Sequence, residues 1–250
     1  MKQGKLTEED CAKLMFQRTR YPDVCADYGI HYQNEQRQMF NCGQLWNECR
    51  SSTPQCRMYL CKASYYVATD NDHIIESLST LPLTAYDYAP DILCIADGCE
   101  VRLLQNVNIS AGLVTSATGT VVKTIYDNAD VKLLATGEHV VPYCVIVSFD
   151  GFRGFVVKCD GNNEERIFLF PNQRTWVSVF RKRFSVNISY LPACVRKRQL
   201  EKNSYRIQFP LNLSSNITVH RAQGQTMANC LVSVELGLEN PDVKLPPELS

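Results

Sequence analysis

The sequence predicts an α/β protein with helices near its start and a strand-rich remainder. Three observations carry that prediction. Apolar residues between Asn34 and Cys49 recur on one helical face. From about Asp91, short β-branched or aromatic runs are separated by Gly, Asn and Asp turns every roughly 8–15 residues, a spacing that suits a small barrel or sandwich better than βαβ units. A chain of 250 residues that is 45% apolar, 10% aromatic and 21% charged can bury one large or two small cores, which excludes a disordered or collagen-like chain. No run of about 18 apolar residues is present to form a membrane helix. Met1–Asp10 is too polar and charged for a signal peptide.

Taken in order, Thr7 followed by Glu8, Glu9 and Asp10 reads as an N-cap with an acidic first turn. The helix it opens continues through Leu14, Met15 and Arg18 until Tyr21-Pro22 stops it. After an apolar–polar run from Gly29 to Gln33, Asn34 caps a second helix. Its expected apolar face is Met39, Phe40, Leu45, Trp46 and Cys49, and Ser51 to Pro54 ends it. No clear periodicity follows until about Pro90. Strands are expected within Ile92–Ala96, Val101–Val107, Leu113–Tyr126, Val140–Phe149, Phe155–Cys159, Arg166–Phe170 and Trp176–Phe184. Pro210 can open a short helix through Leu213 and Ile217 to about His220, with Gly224 ending it. Cys230 to Leu236 reads as a buried strand, and the proline-rich Pro241–Ser250 as a frayed end.

Twelve cysteines is a high count. A disulfide scaffold usually goes with secretion and small size, and neither is read here. Several cysteines sit inside apolar runs, such as Cys94 in Ile-Leu-Cys-Ile and Cys144 in Tyr-Cys-Val-Ile, where a free thiol behaves as a small hydrophobe. Zinc would want paired Cys-x-x-Cys knuckles, and Cys49, Cys56 and Cys61 lack that spacing. Reduced thiols are therefore expected, with a zinc site and structural disulfides as the alternatives. The sequons at Asn108, Asn187, Asn212 and Asn216 carry little weight without secretion.

Net charge is zero, yet it is unevenly placed. Between Arg174 and Arg206 lie nine basic residues: Arg174, Arg181, Lys182, Arg183, Arg196, Lys197, Arg198, Lys202 and Arg206. Only Glu201 opposes them, leaving 17 basic and 25 acidic residues elsewhere, or +8 against −8. Trp176, Phe180, Phe184, Tyr190 and Tyr205 are interleaved with the cations. Cations for phosphates and flat rings for bases are what a nucleic-acid path needs. The competing reading is a solvated sheet face whose aromatics point inward. Arg181-Lys182-Arg183 and Arg196-Lys197-Arg198 are the candidate contacts. No phosphate-binding Gly-x-x-x-x-Gly-Lys-Ser/Thr loop, Gly-x-Gly-x-x-Gly turn, His-Glu-x-x-His helix or Gly-x-Ser-x-Gly elbow occurs. The residues alone thus read as a binding module or part of something larger.

One stretch is distinctive: Arg206-Ile-Gln-Phe-Pro-Leu-Asn-Leu-Ser-Ser-Asn-Ile-Thr-Val-His-Arg-Ala-Gln-Gly-Gln-Thr226. It closely resembles motif V of the Pif-one-like superfamily-one DNA helicases, including those carried by Helitron transposons. There the segment reads Gln-x-Pro-Leu, a helix, then Thr-Ile-His-Lys-Ser-Gln-Gly-x-Thr. Upstream, Gly98-Cys-Glu-Val-Arg-Leu-Leu-Gln-Asn106, Ser110-Ala-Gly-Leu-Val114, Gly119-Thr-Val-Val122 and the run Pro142 to Asp150 resemble further family stretches in the same order. The sequence departs from the pattern in places. Leu-Ala-Trp-Ala before motif V is Leu213-Ser-Ser-Asn216, an Asn-Gly turn is Thr115-Ser116, and Val-Met-Leu-Leu is Val101-Arg-Leu-Leu104.

The resemblance implies most of a second RecA-like helicase domain, residues 1–110 and 206–250, with a small SH3-like β-barrel inserted over residues 111–205. It implies a C-terminal part of an ATP-dependent enzyme that translocates on single-stranded DNA and unwinds duplex. ATP and Mg would serve the intact enzyme and none would be bound by this chain alone. The Walker motifs would lie on an N-terminal RecA-like ATPase domain outside this chain, with a final arginine motif also outside it. Thr218 and His220 would contact DNA phosphate, and Gln223, Gly224, Gln225 and Thr226 would face the nucleotide cleft. A nuclear location, with roles in repair, recombination, telomere maintenance or transposition, and no membrane partner follow as expectations. A non-catalytic nucleic-acid-binding module with relic helicase motifs and a cysteine-rich extracellular binding protein remain the alternatives.

Overall fold

The structure, a computed structural model, describes residues 28–31, 34–52, 56–66, 78–127, 130, 140–158, 164–190, 204–218 and 230–232. The helix expected from Thr7 and the tail from Pro241 lie outside these residues. Strand β1 (Tyr28–His31) leads into helix α1 (Asn34–Ser51), which begins at the expected cap. The helix buries Arg37, Asn41, Cys42, Leu45 and Cys49, one face at three- and four-residue spacing. Phe40, expected on that face, is exposed at 48%. The buried stripe is more polar than the sequence suggested because Asn41 finds partners beneath it. Ser51 and Ser52 hydroxyls donate to the Asn47 and Cys49 carbonyls (2.8 and 2.9 Å) and satisfy the last turn.

Strands β2 (Met58–Lys62) and β3 (Ser64–Tyr66) form where no periodicity was visible. Then follow β4 (Ile92–Ala96), β5 (Glu100–Leu103), β6 (Thr118–Ile125), β7 (Cys144–Ser148), β8 (Phe155–Lys158) and β9 (Glu164–Ile167). The expected strand over Trp176–Phe184 is two, β10 (Trp176–Phe180) and β11 (Lys182–Ser185), broken at Arg181. Strands β12 (Tyr205–Gln208), β13 (Leu211–Leu213), β14 (Asn216–Thr218) and β15 (Cys230–Val232) complete the described chain.

Two expectations fail. Residues 210–218 form no helix: Leu211–Leu213 pairs antiparallel with β5, and Asn216–Thr218 pairs parallel with β1. Ser and Asn are weak helix formers, and here sheet partners and polar contacts outweigh local preference. The inserted SH3-like barrel is also not found. Strands β10-β7-β6-β5-β13 form an open antiparallel sheet, and among the described residues no pairing closes β10 onto β13. Two of its strands, β5 and β13, lie outside residues 111–205. Among the described residues β8 and β9 pair only with each other, and β11 pairs with β12, so neither extends the sheet toward the closure a barrel requires.

The remaining sheets are parallel β14-β1-β15, antiparallel β11-β12-β3, and the β2-β4 pair. The main core lies between α1, the β2-β4 pair and the five-stranded sheet. Leu45, Leu93, Ile95, Val101, Val121, Val145, Val147, Phe149 and Leu211 fill it. A smaller one gathers Leu78, Ala85, Tyr86, Leu104, Phe184 and Val186. The loop Leu104–Ala117 is held by Asn106, whose Oδ1 accepts from the Thr115 amide (2.7 Å) and hydroxyl (3.1 Å). Gly112 there has φ +80°, and a side chain would run into the Gly151 carbonyl oxygen, so only glycine fits. Cys42, Cys49, Cys56, Cys61, Cys94, Cys99 and Cys144 are free. Among the described residues no group of His, Cys, Asp and Glu could hold a metal ion.

Candidate nucleic-acid interface

The candidate residues divide between two places. The first is the carboxyl end of the parallel sheet. His31 on β1 lies opposite Thr218 on β14. Ligands of open α/β sheets collect beyond the carboxyl ends of strands, where chain leaves the sheet. Thr218 is the last residue of β14 and is buried, and from it the chain runs on toward His220 and Gln223–Thr226. His220, Gln223, Gly224, Gln225 and Thr226 all lie outside the described residues. Thr218 sits on a strand, where the sequence reading placed it on a helix.

What fixes Thr218 is a polar clamp on the strand before it. Asn216 Nδ2 donates to Asn41 Oδ1 (2.7 Å) and to Gln44 Oε1 (3.2 Å). Ser215 Oγ donates to Asn41 Oδ1 at 3.0 Å. Asn41 Nδ2 reaches back to the Leu213 and Asn216 carbonyls at 3.5 and 3.4 Å.

The conspicuous Arg206-Ile-Gln-Phe-Pro-Leu run proves to be a structural anchor. Gln208 is fully buried; its Nε2 donates to the carbonyls of Cys61 (2.8 Å), Pro90 (3.2 Å) and Asp91 (3.3 Å). Its Oε1 accepts from the Phe209 amide at 2.9 Å. Pro210 offers its carbonyl to the Leu104 amide at 2.9 Å. Arg206, 1% exposed, donates to the Ala89 carbonyl and the Tyr65 hydroxyl, each at 2.6 Å. Its guanidinium lies over the rings of Tyr86 (3.8 Å) and Tyr65 (5.0 Å), and Tyr65 donates on to Asp91 Oδ1 at 2.7 Å. Burial pushes the Tyr86 hydroxyl up to about 12, with Arg206 opposing it. Arg206 therefore belongs to the core and not to a phosphate path.

The second place is the basic segment. Arg196, Lys197 and Arg198 lie outside the described residues. Arg181, Lys182 and Arg183 are described, and they do not form one row. Arg181 Nη2 bonds the Ile207 carbonyl (2.8 Å), Ser64 Oγ (3.0 Å) and the Lys62 carbonyl (3.4 Å), strapping β2–β3 to β12. Burial pulls its pKa below the usual arginine value, while the nearby Cys61 thiol works the other way. Strand residues alternate faces, so Lys182, opposite Gln208, takes the inner face and Arg183, opposite Ile207, the outer. Only Arg183 of the three is exposed. Its guanidinium carbon stands 4.8 Å over the Tyr205 ring, which in turn stacks on Tyr66 at 4.8 Å between centroids and 17° between planes. Tyr66 escaped the sequence reading because it lies in the stretch without periodicity; its only signal was the pair Tyr65-Tyr66.

No protein-family model and no curated protein matches the chain. Among solved structures, the Pif1 helicase from Candida albicans resembles it with a TM-score of 0.51 and 17% identity, over 91% of this chain and 44% of that one. A structure of DNA unwinding at forked dsDNA by two coordinating Pif1 helicases gives a TM-score of 0.51 and 15% identity, over 90% and 37%. The fold is thus like that of part of a Pif1 helicase. The chain spans less than half the length of either structure.

Proposed function

We propose that this chain is the second RecA-like part of an ATP-dependent DNA helicase of the Pif1 type, one that moves along single-stranded DNA and unwinds duplex. The observation that carries it is the parallel β14-β1-β15 sheet, whose carboxyl end passes from Thr218 straight into His220 and Gln223–Thr226. The likeness of fold to two Pif1 helicase structures supports the same reading.

In it, Thr218 and His220 donate hydroxyl and imidazole hydrogens to a DNA phosphate at the end of β14. Arg183 and Arg196-Lys197-Arg198 neutralise further phosphates, with Arg181 holding the strands beneath them. Gln223, Gly224, Gln225 and Thr226 form one wall of the nucleotide cleft. Residues 218–230 offer amides, an imidazole, two hydroxyls and one arginine but no carboxylate for a magnesium ion. That donor set fits one side of a nucleotide and leaves the ATP and Mg site to a partner RecA-like domain bearing Walker motifs. ATP, where bound by the intact enzyme, would supply the energy for closure, and this chain's residues would grip and release the strand. Helitron kinship, a nuclear location and a role in repair, recombination or transposition belong to the same proposal.

The test is fluorescence anisotropy of the chain with a labelled single-stranded oligonucleotide across a salt titration. Binding that weakens steeply with salt, and by several-fold in His220→Ala, is the expected result. A chain that unfolds cooperatively yet shows no binding at low salt overturns the reading.

A further inference from the structure

We propose that the outer face of the β11-β12-β3 sheet is a base-stacking subsite for single-stranded nucleic acid, with Tyr66 as the platform. The proposal rests on the nucleic-acid reading above and adds to it a subsite that reads bases, where phosphate contacts read only charge.

The two faces of this sheet have separate jobs. The inner face is structural: Tyr65, Phe184 and Arg206 lie directly opposite one another across the strands and pack into the smaller core. The outer face carries Ser64 and Tyr66 from β3, Tyr205 and Ile207 from β12, and Arg183 and Ser185 from β11. Nothing in the core requires those rings.

Register then dictates the stack. Tyr205 pairs directly with Tyr66, so the rings meet side by side. Strands β11 and β3 flank β12 on opposite sides, so Arg183 and Tyr66 approach Tyr205 from opposite faces. The result is a cation–ring–ring ladder, with spacings of 4.8 Å on both sides of Tyr205. Tyr205 is its filled middle. Among the described residues Tyr66, on the edge strand and 49% exposed, is its open end.

A flat, electron-rich ring held by a neighbour on one face and open on the other accepts one kind of guest well, another flat ring. The ladder is already ordered, so little side-chain entropy is lost when a base adds the next layer. The charge selects among flat guests. Arg183, the exposed cation of the 181–183 run, stands on this same outer face. A base attached to a polyanion fits that surroundings; a neutral aromatic peptide gains nothing from it.

The test uses the full chain and two fluorescein-labelled probes of equal length, an oligo-dT and an abasic deoxyribose-phosphate strand. The expected wild-type preference for oligo-dT is on the order of tenfold. Tyr66→Ala should abolish that preference while leaving abasic affinity and the slope against salt unchanged. Arg183→Gln should weaken both probes and lower the salt slope. In Tyr66→Trp, added indole emission should be quenched by oligo-dT and not by the abasic strand, which tests the subsite without truncating the ring. Equal wild-type binding of both probes, or no dT-specific quenching, overturns the stacking subsite while the DNA-binding reading stands. Failure to bind either probe at low salt overturns both.

Discussion

Replacing Gln208 with Met isolates what the Gln-Phe-Pro-Leu run contributes. Met keeps the unbranched length of the side chain and removes both polar ends of the amide. The Nε2 amide carries two hydrogens, which reach the Cys61 carbonyl directly at 2.8 Å and are shared between Pro90 and Asp91 at 3.2 and 3.3 Å. The Oε1 atom takes the Phe209 amide at 2.9 Å. That is two donated bonds and one accepted bond, all at a site with no solvent exposure. At about 1 kcal/mol net for each bond, with no water to replace them, the loss is about 3 kcal/mol. It corresponds to a roughly 150-fold rise in the unfolding constant, and to a fall in Tm of about 6–12 °C for a chain of this size. Urea denaturation followed by tryptophan emission measures the free energy, and differential scanning calorimetry the melting shift. Gln208→Glu should cost more than Met, because it buries a charge that cannot donate to any of the three carbonyls. A Met variant within about 1 kcal/mol of wild type would refute the account of Gln208 as the tie between β12 and the β2-β4 pair.

Further outcomes follow from single sites. Ser116 holds φ +70°, in the left-handed region, and its amide donates to the Leu103 carbonyl at 2.8 Å. Ser116→Gly removes about 1–2 kcal/mol of strain and adds less than about 1 kcal/mol of unfolded-chain entropy, so the urea midpoint should rise slightly; a fall contradicts the strain. Asn41→Leu removes the acceptor of the Ser215 hydroxyl and the nearer of the Asn216 amide's two acceptors. It should cost about 2–3 kcal/mol, and adding Asn216→Leu should restore part of that because both polar partners are then gone; strict additivity would exclude the pairing. Burial pushes the Cys61 and Cys99 thiols up to about 12. Above the unfolded thiol value of about 8.5 the native state therefore holds more protons than the unfolded state. Stability is complete below that pH and declines as pH rises toward 12, at about 1.4 kcal/mol per pH unit for each thiol. Urea midpoints at pH 8 and 10 measure it, and Cys61→Ala should flatten the slope; an unchanged slope rules out that thiol.

The sequence made some of this legible for identifiable reasons. Val101, Val121, Val145, Val147 and Val177 sit in β-branched runs bounded by turn residues, and all are buried strand positions in one sheet. Asn34 opened α1 because its signal is local. The helix expected from Pro210 misread residues whose partners are remote. Nothing near Asn216 in the chain reveals Asn41, 175 positions away, which holds it in a strand. Barrel closure is not found among the described residues, and strand spacing could not foresee it, since spacing gives the number of strands but not which edges meet. The basic segment was legible as charge, and its division into a strap, an inner residue and an outer one was not. That division depends on where β10 ends and β11 begins, a break at Arg181 with no Gly or Pro to mark it.

Two of the departures from the helicase pattern that the sequence resembles are connected to each other. Arg102 stands where the pattern that the sequence resembles has Met, and Ser214, Ser215 and Asn216 where that pattern has Ala, Trp and Ala. Taken singly, each would put an uncompensated polar group into a core, at about 1–3 kcal/mol apiece. In the fold they answer each other. Arg102 Nη2 donates to the Ser214 carbonyl at 2.5 Å, and Ser214 Oγ donates to Glu100 Oε2 at 3.2 Å. Ser215 and Asn216 share Asn41 on α1. Strand β5, the β13–β14 corner and helix α1 are thus joined by directional bonds where the family pattern would use apolar packing. Directional bonds fix position more sharply than packing does, and fail more completely when one member is lost. The strand they fix is the one that presents Thr218. An apolar substitution at any one of Asn41, Arg102 or Asn216 should therefore disturb the candidate site and the fold together.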